Sequence, residues 1–504
     1  MPCQILIKCA VSSDSGETVC ILDALDECNS GDRRQLIDQL KNFCFERNET
    51  SSSSSKLKFL ITSRPYDDLE ASFGRFSGAA AYLRFDGDDK SEEISQEINL
   101  GIDARMKDIG RSFSDEDRGK ICARLKEMEH RTYLWLHLTF DIIEQSPCEY
   151  GRRTDIENLL SELPSQVSAA YEKILGRSKN QTQTEMILRI VLAAEQPLHL
   201  NEANIALTLD LRKSQFASHA ALEPRLWPRD NFRTTVKNLC GLFVNVYDSK
   251  LSFIHQTARE FLINPERQGT WEGRLNMSKS HSTMSLACLH YLLLPDLATP
   301  VQNSLGCQER SFLPYASAYW SRHYNSQEDT IADQSRKNAR MLCDVTGEQV
   351  GVWAPIYFER DSGWEPWADL ALASYLGLKL VVEDILAEEK TDVDAEDRHS
   401  GMALRTTSER GHTEIVQMLP DKNANVDAEG GMLLNKVDDI NAEGELYDTL
   451  LLRALFKAYA EIVQMLLNKV DNINPEGGVY SEALEAASLR GNKEIVQMLR
   501  QAAC

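Results

Sequence analysis

Two short apolar segments constrain the fold of this chain most, because each ends in polar residues where a sheet strand would end. The first, Thr18 to Cys28, has the sequence TVCILDALDEC, and the second, Lys58 to Pro65, has the sequence KFLITSRP. Continuous apolar runs of this length are typical of parallel strands that are covered on both faces. Apolar residues recur at helical spacing near 33–47, between the two runs. The sequence therefore predicts a strand–helix–strand crossover of a parallel α/β sheet.

The acidic residues after the first strand are typical of the acid-bearing strand of a P-loop nucleotidase. Such a strand normally accompanies a phosphate-binding loop of the form G-x-x-x-x-G-K-[ST]. Only the short segment 1–17 precedes Thr18, and it does not contain this motif. The lone Gly119-Lys120 pair is followed by Ile121 and has Ser114 where the first glycine should stand. We therefore expect half of a nucleotide site, in a chain truncated before its acid-bearing strand.

Length and charge exclude several classes of function. A chain of 504 residues is too long for one core, and three or four domains are expected. Its net charge of −22 opposes binding to nucleic acid or to an anionic membrane surface. A signal peptide and a stretch long enough to span a membrane are both missing from the sequence, so we expect a cytoplasmic protein. The twelve cysteines lack zinc-site spacing, which favours reduced and mostly buried thiols.

The middle of the chain is predicted to be helical, with one hairpin. Negative charge at Asp115–Asp117 favours a helix start, an apolar helical run follows at Tyr133–Leu138, and Pro164 is expected to open another helix. Helices near 184–194, 201–209 and 231–240 precede two strand-like runs, at Leu242–Tyr247 and Leu251–Ile254. This is the outline of a winged helix, with the turn residues Asp248-Ser249-Lys250 between the strands.

Two further features of the helical region have simple interpretations. Arg233 and Lys237 form only a sparse basic face on the third helix of the winged helix, so we do not expect DNA binding. Three large aromatic residues recur with apolar neighbours at helical spacing and are predicted to lie in the core: Trp135, Trp320 and Tyr324.

The C-terminal region is repetitive. The sequence Glu-Ile-Val-Gln-Met-Leu occurs at 414–419, 461–466 and 494–499. The last two copies are one ankyrin period apart. The gap between the first two copies is longer, and it becomes two periods if about 19 residues are missing before Met432. We therefore expect an ankyrin solenoid with one repeat internally deleted, either by a true deletion or by an error in an exon boundary.

These segments, in this order, resemble the fungal NACHT–ankyrin proteins, which belong to the STAND class of signalling nucleotidases related to NOD-like receptors. The segments that carry the resemblance are ILDALDEC, KFLITSRP, RTYLWLHLTFDIIE, LPSQVSAAYEKIL, FIHQTAREFLI, FLPYASAYWSRHY and the repeats. The resemblance implies a multidomain α/β plus α protein with five parts: a partial NACHT core at 1–89, a helical domain at 90–180, a winged helix at 181–265, a helical linker at 266–364 and ankyrin repeats at 365–504.

The resemblance also implies roles for five residues. Asp23 resembles the acid that holds Mg²⁺, and Asp26 and Glu27 resemble the acids that orient or activate the attacking water. Arg64 resembles the sensor of the terminal phosphate, and His255 resembles the winged-helix histidine that contacts the diphosphate. The ancestral ligands would be Mg²⁺ with ATP or GTP, but without the phosphate loop we expect no cofactor to be bound.

Each of these residues also has a purely structural interpretation. The acids could form an acidic turn that caps the next helix. Arg64 could pair with Asp23 or Asp26 across adjacent strand ends, and without a phosphate loop we favour this pairing. His255 could be a hydrogen-bonded structural histidine near a domain junction.

The sequence leads to one main functional hypothesis and two alternatives. The main hypothesis is a regulatory interaction protein that binds a protein partner through its repeats and has lost nucleotide hydrolysis. The first alternative is an ATP- or GTP-dependent switch whose phosphate loop is encoded upstream or supplied by a second polypeptide. The second is a defective gene product. The final repeat ends without a polar cap, so we expect it to self-associate or to pack against another chain.

Overall fold

The computed structural model describes most of the chain between residues 18 and 419 and a short C-terminal segment. The described ranges are 18–28, 30–45, 57–63, 91–109, 113–128, 132–144, 153–212, 216–266, 269–298, 310–358, 368–388, 403–419 and 493–502, with single positions at 69, 72–73, 461, 463–464, 484 and 487–488. The chain divides into two compact units, Met1–Leu136 and His137–Cys504, and each is described by itself. The predicted deletion before Met432 lies outside the described residues.

The first unit contains the predicted strand–helix–strand crossover. Strand β1 is Thr18–Leu22, helix α1 is Ser30–Phe45 and strand β2 is Leu57–Ile61. The strands are parallel, in a register that runs from Thr18 opposite Leu57 to Leu22 opposite Ile61. Two more helices belong to this unit, α2 (Ser91–Ile109) and α3 (Asp115–Glu127).

Among the described residues, only one face of the strand pair is covered, which corrects the prediction of a strand buried on both faces. Leu22, Phe59 and Ile61 pack against a cluster that includes Ile37 and Leu40 of α1. The alternate residues of the same strands are exposed, namely Val19, Ile21 and Leu60. Since successive side chains of a strand point to opposite faces, a single covering helix buries only every second residue.

Two predicted helix starts can be compared with the structure. Helix α3 begins where the acidic residues predicted it, because the side chain of Ser114 accepts a hydrogen bond from the backbone N–H of Asp117 at 3.1 Å. The helix expected to open at Pro164 instead begins at Val167, and Gln166 is its N-terminal cap. The first helix start is therefore confirmed, whereas the second prediction places the start one turn too early.

The second unit begins with helices and a hairpin arranged as a winged helix. Its helices up to the hairpin are α4 (Tyr133–Glu144, which starts in the first unit), α5 (Arg153–Glu162), α6 (Val167–Gly176), α7 (Gln181–Ala193), α8 (Leu200–Arg212), α9 (His219–Leu222) and α10 (Arg229–Cys240). The antiparallel strands β3 (Val244–Tyr247) and β4 (Lys250–Phe253) follow. All three helices and both strands of the predicted winged helix are present, with small shifts at their ends.

The hairpin turn consists of two residues with an unusual backbone conformation. Asp248 and Ser249 have φ angles of 47° and 60°, and Lys250 already belongs to β4. Two consecutive left-handed residues match the twist of the flanking strands, which is the geometry that two-residue hairpins favour. An isolated bridge between His199 and Lys250 ties the start of α8 to the same hairpin.

The remaining helices pack around aromatic side chains. They are α11 (Gln256–Ile263), α12 (Met277–Leu292), α13 (Leu313–Asn325), α14 (Asp329–Ala332), α15 (Arg336–Leu342) and α16 (Val350–Phe358). Trp320 and Trp353 are both fully buried, with ring centroids 5.2 Å apart and planes inclined by 78°. Trp135, Trp320 and Tyr324 are all buried, as the sequence predicted.

Two stacked helix pairs follow the aromatic region. The first pair is α17 (Asp369–Leu376) with α18 (Lys379–Ala387), and the second is α19 (Ala403–Arg410) with α20 (Thr413–Met418). Each pair is joined by a glycine with positive φ, Gly377 at 74° and Gly411 at 80°. The hydroxyl of Thr407 donates to the carbonyl of Ser374 in the preceding pair at 3.2 Å. A last helix, α21 (Lys493–Ala502), lies near the C-terminus.

The described parts of the chain also address the predictions on cysteines and membranes. Cys240, Cys288 and Cys343 are buried free thiols, whereas Cys20, Cys28 and Cys122 are free but only partly buried. Within the described ranges, each helix is either too short or too polar to traverse a bilayer.

Candidate functional site at the acidic strand end

Asp23 and Thr62 lie side by side because the two strands that precede them are parallel. The hydroxyl of Thr62 donates to Oδ1 of Asp23 and accepts a hydrogen bond from the backbone N–H of Ala24 at 2.9 Å. Two backbone bonds continue the pairing past the strand ends, from Thr62 N to Leu22 O and from Leu25 N to Thr62 O, both at 2.9 Å. The carboxylate of Asp23 is therefore held at the carboxyl edge of the sheet, where α/β proteins bind ligands.

The turn after β1 aims the second acid toward the same edge. Ala24 has φ 52° and ψ 52°, a left-handed conformation that is uncommon for a residue other than glycine. A single 3₁₀ turn, Leu25–Glu27, follows, and the side chain of Leu25 enters the core. This turn brings Asp26 within reach of the end of β2, where Ser63 Oγ lies 3.4 Å from Asp26 Oδ1.

The predicted acids differ in how well they are defined. Asp23 is exposed and Asp26 is partly buried. The guanidinium of Arg33, on α1, donates to the backbone carbonyl of Asp26 at 3.3 Å. Glu27 belongs to the 3₁₀ turn, but its side chain is outside the described residues, and Arg64 is outside them altogether. The phosphate-sensing role of Arg64 and its alternative pairing with an acid both stay predictions.

The arrangement suits a hydrated magnesium ion. Mg²⁺ in nucleotide sites keeps several waters and binds one or two carboxylates together with the substrate phosphates. An exposed Asp23 and a partly buried Asp26, each contacted by a strand-end hydroxyl, supply oxygen ligands of this kind. Phosphate affinity in P-loop proteins comes from a glycine loop and its lysine, and the described residues at this edge include neither. The residues present therefore fit the metal and not the phosphates.

The lone Gly119-Lys120 pair does not substitute for a phosphate loop. Both residues lie inside α3, and the Lys120 ammonium pairs with Glu116 of the same helix at 2.7 Å. This is an ordinary ion pair between residues four apart on a helix surface.

His255, the predicted nucleotide contact of the winged helix, caps helix α11. Its Nδ1 accepts a hydrogen bond from the backbone N–H of Thr257 at 3.2 Å and lies 3.0 Å from the Thr257 hydroxyl. That hydroxyl also lies 3.0 Å from the hydroxyl of Tyr171 on α6, whose pKa is raised by burial. The geometry supplies a structural role for Nδ1, and contact between His255 and a nucleotide stays a prediction.

A cavity of about 500 Å³ adjoins this cap. Tyr171 and Thr257 line it together with Glu260, Glu272 and the apolar side chains of Val167, Phe261 and Ile263. The two carboxylates make its polar side negative, so the cavity offers no attraction for phosphate groups.

The predicted site residues fall into two groups. Asp23 and Asp26 are brought together in the first unit, and His255 belongs to the second. Sequence reasoning missed the role of Thr62 and Ser63 as hydroxyl partners of the acids. Their position directly after a strand that runs parallel to β1 is the signal that could have identified them. It also missed Thr257 and Tyr171, whose contact joins residues 86 apart.

Two segments of the chain match known protein families. Residues 2–64, which contain the acidic strand end, match the family described as Nephrocystin 3, N-terminal. Residues 171–272, which contain the three helices, the hairpin and His255, match the winged helix domain of GPI inositol-deacylase.

Two curated proteins are similar to this chain at low identity. One is the Vegetative incompatibility protein HET-E-1 of Podospora anserina, 24% identical over 266 residues, which are 52% of this chain and 18% of that protein. The other is the Azaphilone pigments biosynthesis cluster protein L of Monascus ruber, 24% identical over 301 residues, which are 54% of this chain and 63% of that protein. The chain thus spans less than two thirds of either relative.

Together, these similarities support a protein of NACHT type. The parallel strand pair with its acidic end and the winged helix are the two described parts that agree with this class.

Proposed function

We propose that this chain is a regulatory signalling protein of NACHT–ankyrin type that acts by binding a protein partner through its C-terminal repeats. The observation that carries the proposal is the stack of two helix pairs at 369–418. The pairs repeat the same design, in which a short helix, a left-handed glycine turn and a second helix follow each other. Stacked units of this kind present an extended surface to a partner.

The contacts between the two pairs are those expected of one repeat packed on the next. The Thr407 hydroxyl bonds to the carbonyl of Ser374, and His412 Nε2 lies 3.2 Å from the carbonyl of Tyr375. The guanidinium of Arg410 lies over the ring of Tyr375 at 3.9 Å. The Thr407–Ser374 contact joins positions 33 residues apart, which is one ankyrin period. Together with the repeated sequences, it supports our interpretation of residues 365–504 as ankyrin repeats.

We further propose that these 504 residues do not hydrolyse nucleotide by themselves. The motif G-x-x-x-x-G-K-[ST] does not occur in them. Carboxylates without a phosphate loop repel a triphosphate, since like charges meet at the same edge. Asp23, Asp26 and Glu27 would then be retained as an acidic turn in a regulatory protein rather than as catalytic residues.

The biological setting that we propose is signal sensing in non-self recognition or programmed cell death, in the cytoplasm of a fungus. The printed name of one relative, a vegetative incompatibility protein, supports this setting. The net charge of −22 supports a protein partner rather than a nucleic acid or a membrane.

A specific observation favours a second candidate function, a nucleotide-dependent switch. The hydroxyl of Thr62 holds Asp23 at the strand end and leaves its side chain exposed at the edge where α/β proteins bind ligands. In this case the phosphate loop would be supplied by residues upstream or by another polypeptide, and Arg64 and His255 would contact the nucleotide.

Nucleotide binding by the 504-residue chain discriminates between the two. We expect isothermal titration with ATP or GTP and Mg²⁺ to show no binding at micromolar concentrations. Micromolar affinity that is lost in Asp23→Asn would contradict the proposal and support the switch. Addition of a polypeptide that carries the in-frame upstream sequence tests the switch directly, because affinity should then appear and depend on Asp23.

Partner binding needs a separate test. We expect proteins cross-linked to the chain in its own cell extract to be joined mainly through residues 365–504. A chain that lacks those residues should lose these cross-links, whereas Asp23→Asn should retain them. Cross-links that survive the deletion unchanged would exclude the repeats as the binding surface.

A further inference from the structure

Three side chains from separate helical segments of the second unit converge behind the winged helix. Glu195 follows the end of α7, His281 lies on α12 and His323 lies on α13. A carboxylate oxygen and one nitrogen of each imidazole all lie within 4.8 Å of one another. The two Nδ1 atoms are 3.0 Å apart. Ligand atoms around a tetrahedral Zn²⁺ with bonds of about 2.0–2.1 Å are about 3.3 Å apart. The two Nδ1 atoms are already close to this spacing, whereas the longest spacing in the cluster, up to 4.8 Å, would have to shorten when an ion binds.

The surroundings of the two histidines orient their ring nitrogens. His323 is fully buried and His281 is 9% exposed. The hydroxyl of Tyr315 lies 3.0 Å from Nε2 of His323 and accepts a hydrogen bond from the backbone N–H of Glu195 at 3.1 Å. In the tautomer in which Nε2 of His323 donates to that hydroxyl, the Nδ1 lone pair of His323 points at His281. Outer partners of this kind are typical of metal-binding histidines, since they set the tautomer and the ring orientation.

The types of ligand atom in the cluster decide which metal ion it could bind. Glu195 supplies one carboxylate, and its Oε2 is held by the guanidinium of Arg322 at 2.8 Å. Arg259 also faces His281 and adds positive charge. Mg²⁺ and Ca²⁺ need several oxygen ligands, which the cluster lacks, whereas imidazole suits Zn²⁺, Co²⁺, Ni²⁺ and Cu²⁺.

We propose that Glu195, His281 and His323 bind one divalent transition metal ion of the Zn²⁺ kind, through the carboxylate and the two Nδ1 atoms. A water molecule would complete the tetrahedron. The proton that the two Nδ1 atoms share without metal moves to Nε2 of His281 when metal binds, so both imidazoles stay neutral. The ion would join α12 and α13 to the first helix of the winged helix, and its role would be to stabilise this junction.

Cobalt titration tests the site directly. The 504-residue chain without an affinity tag would be treated with EDTA, dialysed and titrated with Co²⁺. We expect visible absorption bands of tetrahedral intensity that saturate at one equivalent, and Zn²⁺ should abolish them. At a metal concentration a hundredfold above Kd, we expect Tm to rise by about 5 °C. The absence of both effects at millimolar Co²⁺ would mean that the cluster is only a hydrogen-bonded histidine pair and would overturn the proposal.

Variants separate the ligands from the rest of the helix. His281→Gln and Glu195→Gln should each weaken Co²⁺ binding by at least about 100-fold, and Tyr315→Phe by about 10-fold through its outer contact. The matched control is His290→Gln, because His290 lies on the same helix and its pKa is also lowered by burial. His290→Gln should bind Co²⁺ as the wild type does. If His281→Gln and His290→Gln weaken Co²⁺ binding equally while the circular dichroism of both stays unchanged, this set of ligands is excluded.

Discussion

The strand pair of the first unit and the aromatic helices of the second bury their apolar residues to very different extents. On the open face of the strand pair, Val19 is 58% exposed and Ile21 is 65% exposed. In the second unit, Trp271, Trp320 and Trp353 are fully buried. Helices cover one another with segments close in sequence, whereas a parallel strand needs a layer on each face. An apolar run therefore identifies a strand but does not supply the layer that covers it.

The largest effect is expected in the aromatic core. Trp320→Ala should lower the free energy of unfolding of the second unit by about 3–5 kcal/mol, because it removes a large buried ring and leaves a cavity beside Trp353. Urea unfolding followed by circular dichroism measures the change. Met341→Ala, at a side chain that is 49% exposed, should change stability by no more than about 0.5 kcal/mol. Similar losses in both variants would show that Trp320 is not part of a close-packed core.

The glycine turn of the first helix pair should give the next largest effect. A Cβ at Gly377 would lie 2.5 Å from Cε1 of His412, and the residue has φ 74°. Gly377→Ala should therefore cost about 3 kcal/mol, from backbone strain and from displacement of the second pair.

Gly351→Ala is the matched control for the glycine turn. This glycine lies inside α16, and a Cβ there meets nothing within 4 Å. The substitution should stabilise the helix by up to about 1 kcal/mol. A neutral Gly377→Ala in thermal unfolding would contradict the close stacking of the two pairs.

Acidic pH should lower the stability of the two stacked helix pairs at 369–418. Burial, together with the charge of Arg410, lowers the pKa of His412 below its usual 6.5. As the pH falls, the unfolded chain therefore binds the His412 proton at a higher pH than the folded chain does. The contribution of the neutral imidazole to stability is fully present above pH 6.5 and is lost as the pH falls toward the lower pKa of the folded state. The slope for one such group is at most about 1.4 kcal/mol per pH unit. Thermal unfolding between pH 7.5 and 5.5 measures it. His412→Gln should reduce the slope by this contribution, and the remainder should come from His281, His290 and His323, whose pKa values are also lowered by burial.

Removal of the Thr62 hydroxyl should have a local effect at the strand end of the first unit. Thr62→Val removes the hydroxyl that joins Asp23 to the N–H of Ala24 and should cost about 1 kcal/mol. Hydrogen exchange at the Ala24 amide should accelerate. Ser63→Ala is the control, because the Ala24 N–H donates to the hydroxyl of Thr62, whereas the Ser63 hydroxyl lies 3.4 Å from Asp26. If the Ala24 amide is equally protected from exchange in the wild type, Thr62→Val and Ser63→Ala, Thr62 is excluded as the residue that positions Asp23.

The smallest effect is expected on the open face of the sheet. Ile21→Ser should change stability by no more than about 0.5 kcal/mol, since the side chain is mostly exposed. Leu57→Ser, on the covered face of the neighbouring strand, should cost about 3 kcal/mol. If both substitutions lower the free energy of unfolding equally, the open face of the strand pair is covered in solution. The contrast between the strand pair and the aromatic helices would then disappear.

Much of the fold was predictable because local patterns decide secondary structure. The apolar runs at 18–22 and 57–61, the crossover helix and the five elements of the winged helix all follow from periodicity and turn residues. The placement of Asp23 at a strand end followed from the same patterns. The one-sided burial of the strand pair could not be predicted, because the covering layers come from other parts of the chain.

Contacts between distant residues were beyond sequence reasoning. The pairing of Thr62 with Asp23 depends on the register of two strands, and the His281–His323 contact joins residues 42 apart on different helices. Neither histidine has neighbours at a metal-binding spacing, so a local motif could not indicate the cluster.

The sequence by itself determined where helices, strands and turns form, and it placed the acids of the first unit at the end of a strand. Only the tertiary structure decided which hydroxyls contact those acids, which face of the strands is covered, and that Glu195, His281 and His323 meet. The physical reason is the distance along the chain over which each effect acts. Backbone preference and hydrophobic periodicity act over a few residues, whereas a site is made by side chains that packing brings together from far along the chain.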